Sequence, residues 1–422
     1  MHLLLSCVIV CCLQVVTVKA KNFSVVLVGG HLADDNEEIW GRIVELGGGK
    51  GRARFGVITA ASEDPCCDED SSWIYYRDLL TNYGAEEVYY VPITADHPEK
   101  NSDPAVVEHI ESLTGFFFGG GDQTRLVQAY YTGVGNSTGA VASPALLAIK
   151  RALLASGGVV AGTSAGTDIQ TSSVMITGGK SYDALVDGSF VNWKPVTLPN
   201  PNILTGYAPG GISFFPHGLV DTHFENRGRH GRLIRLMADT VNYPHGSQHA
   251  FGIDENTALV VEGAWNGGRA GEVIGESGVT MFDLTDAEQT SNAEGSWRLW
   301  GLRVSHLTSG DRLNLQSYVV TPATFKKPLK GREKNEHAAT SFDIFKQDAF
   351  EFNRIAKSLF DNVNDDITVG YTAKGGPRYT VEMRRQEGIG GSAGYAGVDP
   401  TTGEYVVSYS DMTVDIHPTE SR

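Results

Sequence analysis

The stretch from Ser156 to Gln170, SGGVVAGTSAGTDIQ, constrains the fold of this 422-residue chain more than any other feature. Its apolar run, residues 159–161, is typical of a buried strand. The pattern G-x-S-x-G follows at residues 162–166, and a helical pattern comes next. A strand that turns sharply into a helix through this pattern presents its serine at the end of a sheet. The stretch therefore predicts an α/β fold with Ser164 as a candidate nucleophile.

The same pattern occurs at residues 135–139 and 390–394, so its context decides which copy matters. The first copy lacks a preceding strand and overlaps the glycosylation sequon at Asn136, which indicates an exposed loop. The third copy follows a polar run and is typical of a flexible turn. Only the middle copy lies between a predicted strand and a predicted helix. The alternative for that copy is a tight turn without chemistry.

Apolar runs alternate with helical patterns along the first half of the chain, which favours a mainly parallel α/β sheet. A glycine turn, Gly119–Gly121, follows the apolar run FFF, and Asp122 has the position of a helix N-cap. Ligands bind at the carboxyl ends of strands in such sheets, and both this turn and Ser164 fall there. Further on, residues 267–284 predict a hairpin, residues 227–240 a helix and residues 345–360 an amphipathic helix.

Four segments are predicted along the chain. Residues 1–20 have the short apolar run and small-residue end of a secretory signal peptide, although no Lys or Arg precedes the run. Residues 21–322 form a catalytic domain, and residues 323–338 form a basic linker. Residues 339–422 form a smaller α+β extension. We therefore expect a secreted, extracellular protein.

The composition excludes some partners. A net charge of −16 argues against nucleic acid and anionic membranes as partners. No cofactor or metal is expected. In a secreted protein the sequons at Asn22 and Asn136 become candidate glycan sites, so we expect a glycoprotein. The mature chain keeps only Cys66 and Cys67, which are adjacent and cannot form an ordinary long-range staple.

A serine nucleophile needs a base and a group that orients the base. His223 ends a predicted strand after Ser164 in the chain, and His217 is the alternative base. Glu255 and Asp254, just before a later strand, are both candidates for the orienting acid. Arg227, Arg229 and Arg232 follow His223, and arginine suits bidentate carboxylate binding. The alternative is a solvated basic helix face.

Four motifs together resemble the cyanophycinases, a serine-peptidase family that also includes the aspartyl dipeptidases. The motifs are GTSAG (162–166), GGDQ (120–123), DTHFENRGRHGRL (221–233) and GIDENTAL (252–259). They occur in the family's order and at similar spacing, between about residues 25 and 315. The resemblance implies a class I glutamine-amidotransferase-like α/β sandwich with a mainly parallel central sheet.

The resemblance also implies residue roles. Ser164 would be the nucleophile, His223 the base and Glu255 the third member of a triad. The N–H groups of Gly121 and Ala165 would form the oxyanion hole. Residues that match the substrate pocket are Gln123, Asp221, Arg227, Arg229 and Arg232. The family commonly has glutamine where this chain has Thr222, which leaves the substrate preference open.

The sequence thus predicts a secreted serine exopeptidase that hydrolyses multi-L-arginyl-poly-L-aspartate to β-Asp-Arg dipeptides. Its expected partner is a polypeptide substrate of aspartate and arginine character, and a homodimer is possible. One alternative is an aspartyl or isoaspartyl dipeptidase of other preference. The other is a non-catalytic binding or extracellular-matrix protein on a peptidase scaffold, which the secretion signal and the C-terminal region favour.

Overall fold

The computed structural model describes residues 20–133, 140–194, 201–263, 270–291, 295–386 and 391–419. Nearly all of the predicted signal peptide and the sequon at Asn136 lie outside the described residues.

The described strands form two large sheets and two small ones. In chain order they are β1 (Ser24–Val28), β2 (Arg54–Ile58), β3 (Glu87–Tyr90), β4 (Gly115–Phe118), β5 (Tyr131–Thr132), β6 (Val141–Ala142), β7 (Val159–Thr163), β8 (Met175–Thr177), β9 (Phe190–Asn192), β10 (Thr205–Tyr207), β11 (Leu219–Asp221), β12 (His249–Ile253), β13 (Thr257–Val261), β14 (Ala270–Gly275), β15 (Gly278–Asp283), β16 (Glu288–Ser291), β17 (Trp297–Thr308), β18 (Arg312–Asn314), β19 (Val320–Thr321), β20 (Lys327–Pro328), β21 (Ile367–Tyr371), β22 (Tyr379–Arg384), β23 (Ala393–Val398) and β24 (Tyr405–Pro418).

The helices are mostly short and lie between the strands. They are α1 (Glu37–Leu46), α2 (Ser72–Asn82), α3 (Pro104–Ser112), α4 (Gln123–Tyr130), α5 (Pro144–Ser156), α6 (Ala165–Asp168), α7 (Ser181–Asp187), α8 (His230–Thr240) and α9 (Glu351–Phe360), with a 3₁₀ turn at Pro98–Ser102.

The central sheet has the strand order β19-β18-β14-β13-β1-β7-β4-β2-β3. Five neighbouring strands of this sheet, β1, β7, β4, β2 and β3, pair in parallel. On the other side of β1 the sheet continues with antiparallel strands, beginning with β13. Because side chains alternate across a strand, Val25 and Leu27 pack on one face with helices α3 and α5. Val26 and Val28 pack on the other face with α1 and α2. The predicted α/β class with parallel central strands is confirmed.

The second sheet follows the order β11-β12-β15-β17-β24-β22-β21 and is largely antiparallel. The hairpin predicted within residues 267–284 is wrong. Strand β14 pairs with β13 and β18 in the central sheet, whereas β15 pairs with β12 and β17 in the second. The local pattern correctly places both strands, but long-range partners separate them into two sheets.

The C-terminal region contributes strands to the same sheet as the catalytic part. Strand β24 pairs with β17, which belongs to the predicted catalytic domain. Within the predicted linker, the buried Lys326 forms an ion pair with the buried Asp311 at 2.8 Å. The division of the chain into a catalytic domain and an extension stays a prediction, but strands from both share one sheet.

The amphipathic helix predicted from residue 345 begins at Glu351 instead. Phe350 has a φ of 53°, and a left-handed residue cannot continue a right-handed helix. Residues 345–350 therefore form a turn, which packs against the loop that follows β11, as described below.

Two further observations concern membrane-spanning helices and the two cysteines. Within the described ranges, no helix combines the length and the apolarity needed to span a membrane. Cys66 and Cys67 are joined to each other by a disulfide between adjacent residues. The bond closes a local loop and links no distant parts of the fold.

Candidate active site

Ser164 lies in the sharp turn between β7 and α6. Its backbone angles, φ 53° and ψ −122°, are unfavourable for a residue with a side chain. The Ser164 N–H donates to the Val28 carbonyl at 3.2 Å. The Thr167 hydroxyl bonds to the same carbonyl at 2.7 Å and to Gly162 O at 2.6 Å. These bonds from two neighbouring strands hold the turn, so the strained serine conformation persists.

His223 follows β11 and also has a left-handed backbone, with φ 47°. Its N–H donates to the Gly29 carbonyl at 2.6 Å, which ties the loop to the end of β1. A Cβ at Gly30 would lie 2.3 Å from Cε1 of the His223 ring. Glycine at position 30 is therefore what allows the imidazole to approach the β1 turn so closely.

The structure brings Ser164, His223 and Glu255 into one hydrogen-bonded chain. The His223 Nε2 and the Ser164 Oγ are 2.8 Å apart, and the His223 Nδ1 and the Glu255 Oε1 are 2.7 Å apart. A carboxylate can only accept, so Nδ1 carries the proton and donates to it. This tautomer leaves the Nε2 lone pair facing the serine hydroxyl.

The pKa of His223 is lowered to about 4, mainly by burial and to a smaller extent by the positive charges of Arg227 and Arg229. The hydrogen bond to Glu255 acts in the opposite direction. A lowered pKa means that the imidazole is neutral at every pH well above 4. The ring is thus in the form that can accept a proton from Ser164 at neutral pH.

The two predicted oxyanion donors flank the serine. Ala165 is the first residue of α6, where backbone N–H groups have no partner within the helix. Gly121 has a φ of 134°, and a Cβ there would lie 2.1 Å from the Ala61 carbonyl. An ideal Cβ on the adjacent Gly120 would lie 3.5 Å from the Ser164 Cβ. The glycine turn after β4 thus runs directly beside the serine.

The alternative base and acid lie elsewhere. The His217 ring packs against Phe215. Asp254 is fully buried and accepts hydrogen bonds from Ser277 Oγ at 2.7 Å and from Glu225 N at 3.0 Å. Burial, followed by the charge of Glu225, raises the pKa of Asp254 to about 7. Asp254 therefore supports the turn, and Glu255 is the acid that meets His223.

A cavity of about 490 Å³ opens beside Ser164. Its wall includes all but one of the residues predicted for the substrate pocket, the exception being Asp221. Asp221 is fully buried and accepts from Arg232 Nε at 2.8 Å and from Arg229 Nη1 at 3.2 Å. Arg229 and Arg232 thus line the cavity while they are paired with Asp221, which already occupies the fork of Arg232.

Arg227 differs from the other two arginines. It precedes α8, is exposed, and forms no ion pair with another described residue. Lys180 lines the same cavity, is also exposed, and forms no ion pair with another described residue. These two side chains are the cations that can meet an anionic ligand. Gln123 is held in place by a 2.6 Å hydrogen bond from its Nε2 to the Ile176 carbonyl.

The sequence analysis missed Asp168 and Lys180 as cavity residues. Asp168 accepts from Thr222 Oγ1 at 3.2 Å and from Gln123 Nε2 at 3.4 Å. Burial, and next the charge of Asp221, raise the pKa of Asp168 to about 8. Asp168 lies four residues after Ser164, so a helical turn places both on one face. That spacing was the available signal. No sequence signal indicated Lys180, because it follows a stretch without a regular pattern.

One group of described side chains has the composition of a metal site. Ligand atoms of His31, His223 and Glu255 lie within 4.8 Å of one another. The His31 Nε2 is 3.7 Å from the Glu255 Oε1, and its ring meets that of His223 edge-on at 5.2 Å. Two of the three members are already hydrogen-bonded to each other in the chain that reaches Ser164.

Comparison with known proteins shows which proteins this chain is similar to. A curated cyanophycinase of Nostoc sp. is 28% identical over 324 residues, 74% of this chain and 93% of the relative. A curated cyanophycinase of Synechococcus elongatus is 27% identical over 66% of this chain and 74% of its own length. A curated cyanophycinase of Geminocystis herdmanii is 28% identical over 70% of this chain and 94% of its own length. The chain is a homologue of the cyanophycinases. No family model matches the chain.

Two solved structures are also similar to this chain. A peptidase from an acI-B1 Actinobacterium is 19% identical with a TM-score of 0.45, over 70% of this chain and 98% of its own. A Listeria monocytogenes protein described as a putative peptidase E is 14% identical with a TM-score of 0.37, over 60% of this chain and 98% of its own.

The curated homology and the hydrogen-bonded Ser164–His223–Glu255 chain together make this protein a serine-type peptidase, a hydrolase. Because the homologues cover most of the chain, the enzyme class applies to the region that contains all three residues. The substrate and the individual roles are matters for the proposal below.

Proposed function

We propose that the chain is a secreted serine exopeptidase that hydrolyses a cyanophycin-type polymer and releases β-Asp-Arg dipeptides. The observation that carries this proposal is the chain of two short hydrogen bonds from Ser164 through His223 to Glu255, at the edge of a cavity with exposed cations. The homologues named cyanophycinase support the choice of substrate.

The proposed reaction begins at Ser164. Its Oγ attacks the carbonyl carbon of the scissile amide, and His223 Nε2 takes the hydroxyl proton in the same step. Glu255 stabilises the imidazolium through the Nδ1–H hydrogen bond. His223 then gives its proton to the leaving amine, and the acyl-enzyme is hydrolysed by water in a second, equivalent step. Neutral His223 at neutral pH fits its role as the base that starts this sequence.

The negative oxygen of the tetrahedral intermediate would be held by the N–H groups of Ala165 and Gly121. Both belong to turns whose backbone is fixed by neighbouring strands. Donors that are already oriented cost no reorganisation during the reaction, and each typically contributes about 10²–10³ to kcat. The strained turn places Ser164 directly before Ala165, the first residue of α6, so the nucleophile and this donor are neighbours in the turn.

The cavity beside Ser164 favours an anionic substrate. Each unit of the proposed polymer carries a free α-carboxylate on its arginine, and Arg227 and Lys180 line the cavity as exposed cations. Arg232 and Arg229 also line the cavity, where their hydrogen bonds to the buried Asp221 hold them in place. A neutral Asp168 would add no negative charge to this wall, whose other acidic side chain is Asp122.

The test is incubation of the wild-type protein with the arginyl-polyaspartate polymer, and separately with aspartyl and isoaspartyl dipeptides, with products identified by mass. Release of β-Asp-Arg from the polymer supports the proposal, and cleavage of dipeptides alone would favour a dipeptidase. Ser164→Ala is the matched control, since the two side chains are close in size. If neither substrate class is cleaved and a serine-directed covalent probe fails to label Ser164, the peptidase function is wrong.

The remaining parts of the proposal concern the surroundings of the enzyme. The N-terminal apolar run supports secretion, and the exposed position of Asn22 is compatible with a glycan there. Glycosylation at Asn136, homodimerisation and the glutamine-amidotransferase-like form of the sandwich belong to the same proposal. Expression in a eukaryotic secretory host would test secretion and glycosylation by the protein's recovery in the medium and by glycosidase treatment. Light scattering would test the dimer.

A further inference from the structure

A second cavity, of about 410 Å³, adjoins the cavity beside Ser164. The two cavities share part of their walls, because four residues line both: Lys180, Ser181, Arg227 and Gln347. The remaining wall of the second cavity comes largely from two C-terminal stretches, residues 343–347 and 372–374. The C-terminal region thus adds a compartment to the active-site cleft.

The walls of this second cavity are firmly connected to the catalytic loop. The Asp348 N–H donates to the Asn226 carbonyl at 2.7 Å, three residues after His223. A Cβ at Gly228 would lie 2.2 Å from the Phe345 carbonyl, so the two backbones are in close contact. On the other side, Ser181 Oγ donates to the Gly228 carbonyl at 2.5 Å. The turn at 343–348 is therefore built onto the loop that carries Arg227.

The side chains of the second cavity are unusually cationic for a chain with a net charge of −16. Four cations line it, against one acid, Asp343: Lys180, Arg227, Lys346 and Lys374. Lys374 is neutralised in part by an ion pair with Asp183 at 3.1 Å. The other three cations form no ion pair with a described carboxylate. A compartment lined by more cations than acids inside an acidic protein is an arrangement that attracts a carboxylate.

We propose that the second cavity is a subsite that binds a carboxylate of the substrate chain beyond the unit being cleaved. This inference rests on the proposed function, because the ligand is the free α-carboxylate of an arginine on a neighbouring unit of the polymer. Lys346 and Arg227 would contact that carboxylate. Asp343 lies in the same wall, where it can meet the guanidinium of the same arginine.

The consequence is a preference for longer chains. A substrate of one cleavable unit fills only the cavity beside Ser164, whereas a longer polymer reaches both cavities. Losing one charge-assisted contact typically lowers affinity about tenfold or more. We therefore expect the ratio of kcat/KM on a chain of several units to kcat/KM on the shortest cleavable chain to be well above one for the wild-type protein.

The experiment compares this ratio in the wild type, Lys346→Ala, Lys346→Glu and a control, Lys327→Ala. Lys327 is exposed on β20 and lines neither cavity. The ratio is expected to fall about tenfold in Lys346→Ala and further in Lys346→Glu, mainly through KM, and to stay at the wild-type value in Lys327→Ala. Added salt should lower the wild-type ratio, since charged contacts near the surface are screened. Thermal melts of all variants establish that they are folded.

Two results would overturn the inference, and they are distinguishable. If the wild type cleaves both substrates and the Lys346 variants keep its ratio, the second cavity is no subsite and the proposed function stands. If the wild type cleaves neither chain, the proposed function fails and the subsite fails with it. Binding of the long chain to Ser164→Ala protein, measured by calorimetry with and without Lys346→Glu, gives the same distinction without turnover.

Discussion

Asp168→Asn isolates the effect of one buried proton on the stability of this protein. Asp168 is 3% exposed and lies near the buried carboxylate of Asp221. Its pKa is raised to about 8 by burial and then by that negative charge, while Arg229 and Arg232 act in the opposite direction. The folded protein therefore keeps Asp168 protonated at neutral pH. Asparagine has nearly the same shape and is always neutral.

The magnitude follows from proton linkage. The folded state holds a proton that the unfolded state releases near pH 4, so between pH 4 and pH 8 the unfolded state binds one proton fewer. The free energy of unfolding then decreases by about 1.4 kcal/mol for each pH unit in this window. This stabilising contribution is fully present below pH 4 and is lost as the pH rises to 8. Asp168→Asn removes the dependence, so the variant gains about 3 kcal/mol relative to wild type between pH 5 and pH 7.

The assay is urea unfolding of both proteins at pH 5, 6 and 7, with the difference in free energy plotted against pH. Asp96→Asn, at an exposed side chain that pairs with Arg125, provides the baseline for losing one surface aspartate. If the difference between Asp168→Asn and wild type is the same at pH 5 and pH 7, Asp168 is ionised in the folded state. The argument that Asp168 adds no negative charge to the cavity wall would then be refuted.

Three further predictions concern catalysis, and a fourth concerns stability. Ser164→Ala should abolish turnover with an unchanged melting temperature, whereas Ser392→Ala should keep full activity; loss of activity in Ser392→Ala would contradict the assignment of the nucleophile. The profile of kcat/KM against pH should rise through about pH 4, where the buried His223 loses its proton, and a midpoint at pH 6–7 would indicate that burial does not control the base. Arg227→Lys should lower kcat/KM on the polymer roughly ten- to a hundredfold with little change in stability. Arg232→Lys should instead lower the melting temperature, because its fork holds the buried Asp221, and equal melts for the two variants would contradict this difference.

The sequence alone was sufficient for the parallel core and for the position of the serine. Apolar runs such as residues 159–161 and 116–118 specify buried strands through local composition. The pattern G-x-S-x-G between a strand and a helix depends only on adjacent residues, because the steric demand for small neighbours is local. The choice of His223 and Glu255 needed the resemblance, since their own surroundings in the sequence left His217 and Asp254 as alternatives.

The availability of the arginines could not be determined from the sequence. Arg227, Arg229 and Arg232 are the same residue type within six positions, yet only Arg227 lacks an ion-pair partner among the described residues. The difference arises because the buried Asp221, at the end of β11, accepts from the fork of Arg232 and from one N–H group of Arg229. The pairing of these charges depends on which side chains are buried together, and that burial depends on the whole fold.

Long-range pairing also determined which sheets the strands in the second half of the chain join. Strands β14 and β15 are separated by two residues, yet they join different sheets because their partners lie far away in the sequence. Residues 345–350 were predicted to begin a helix, but they form a turn, and residues 345–347 line the second cavity. Local patterns specify strands, helices and turns, whereas the free energy of burying apolar faces and pairing buried charges decides which of them come together.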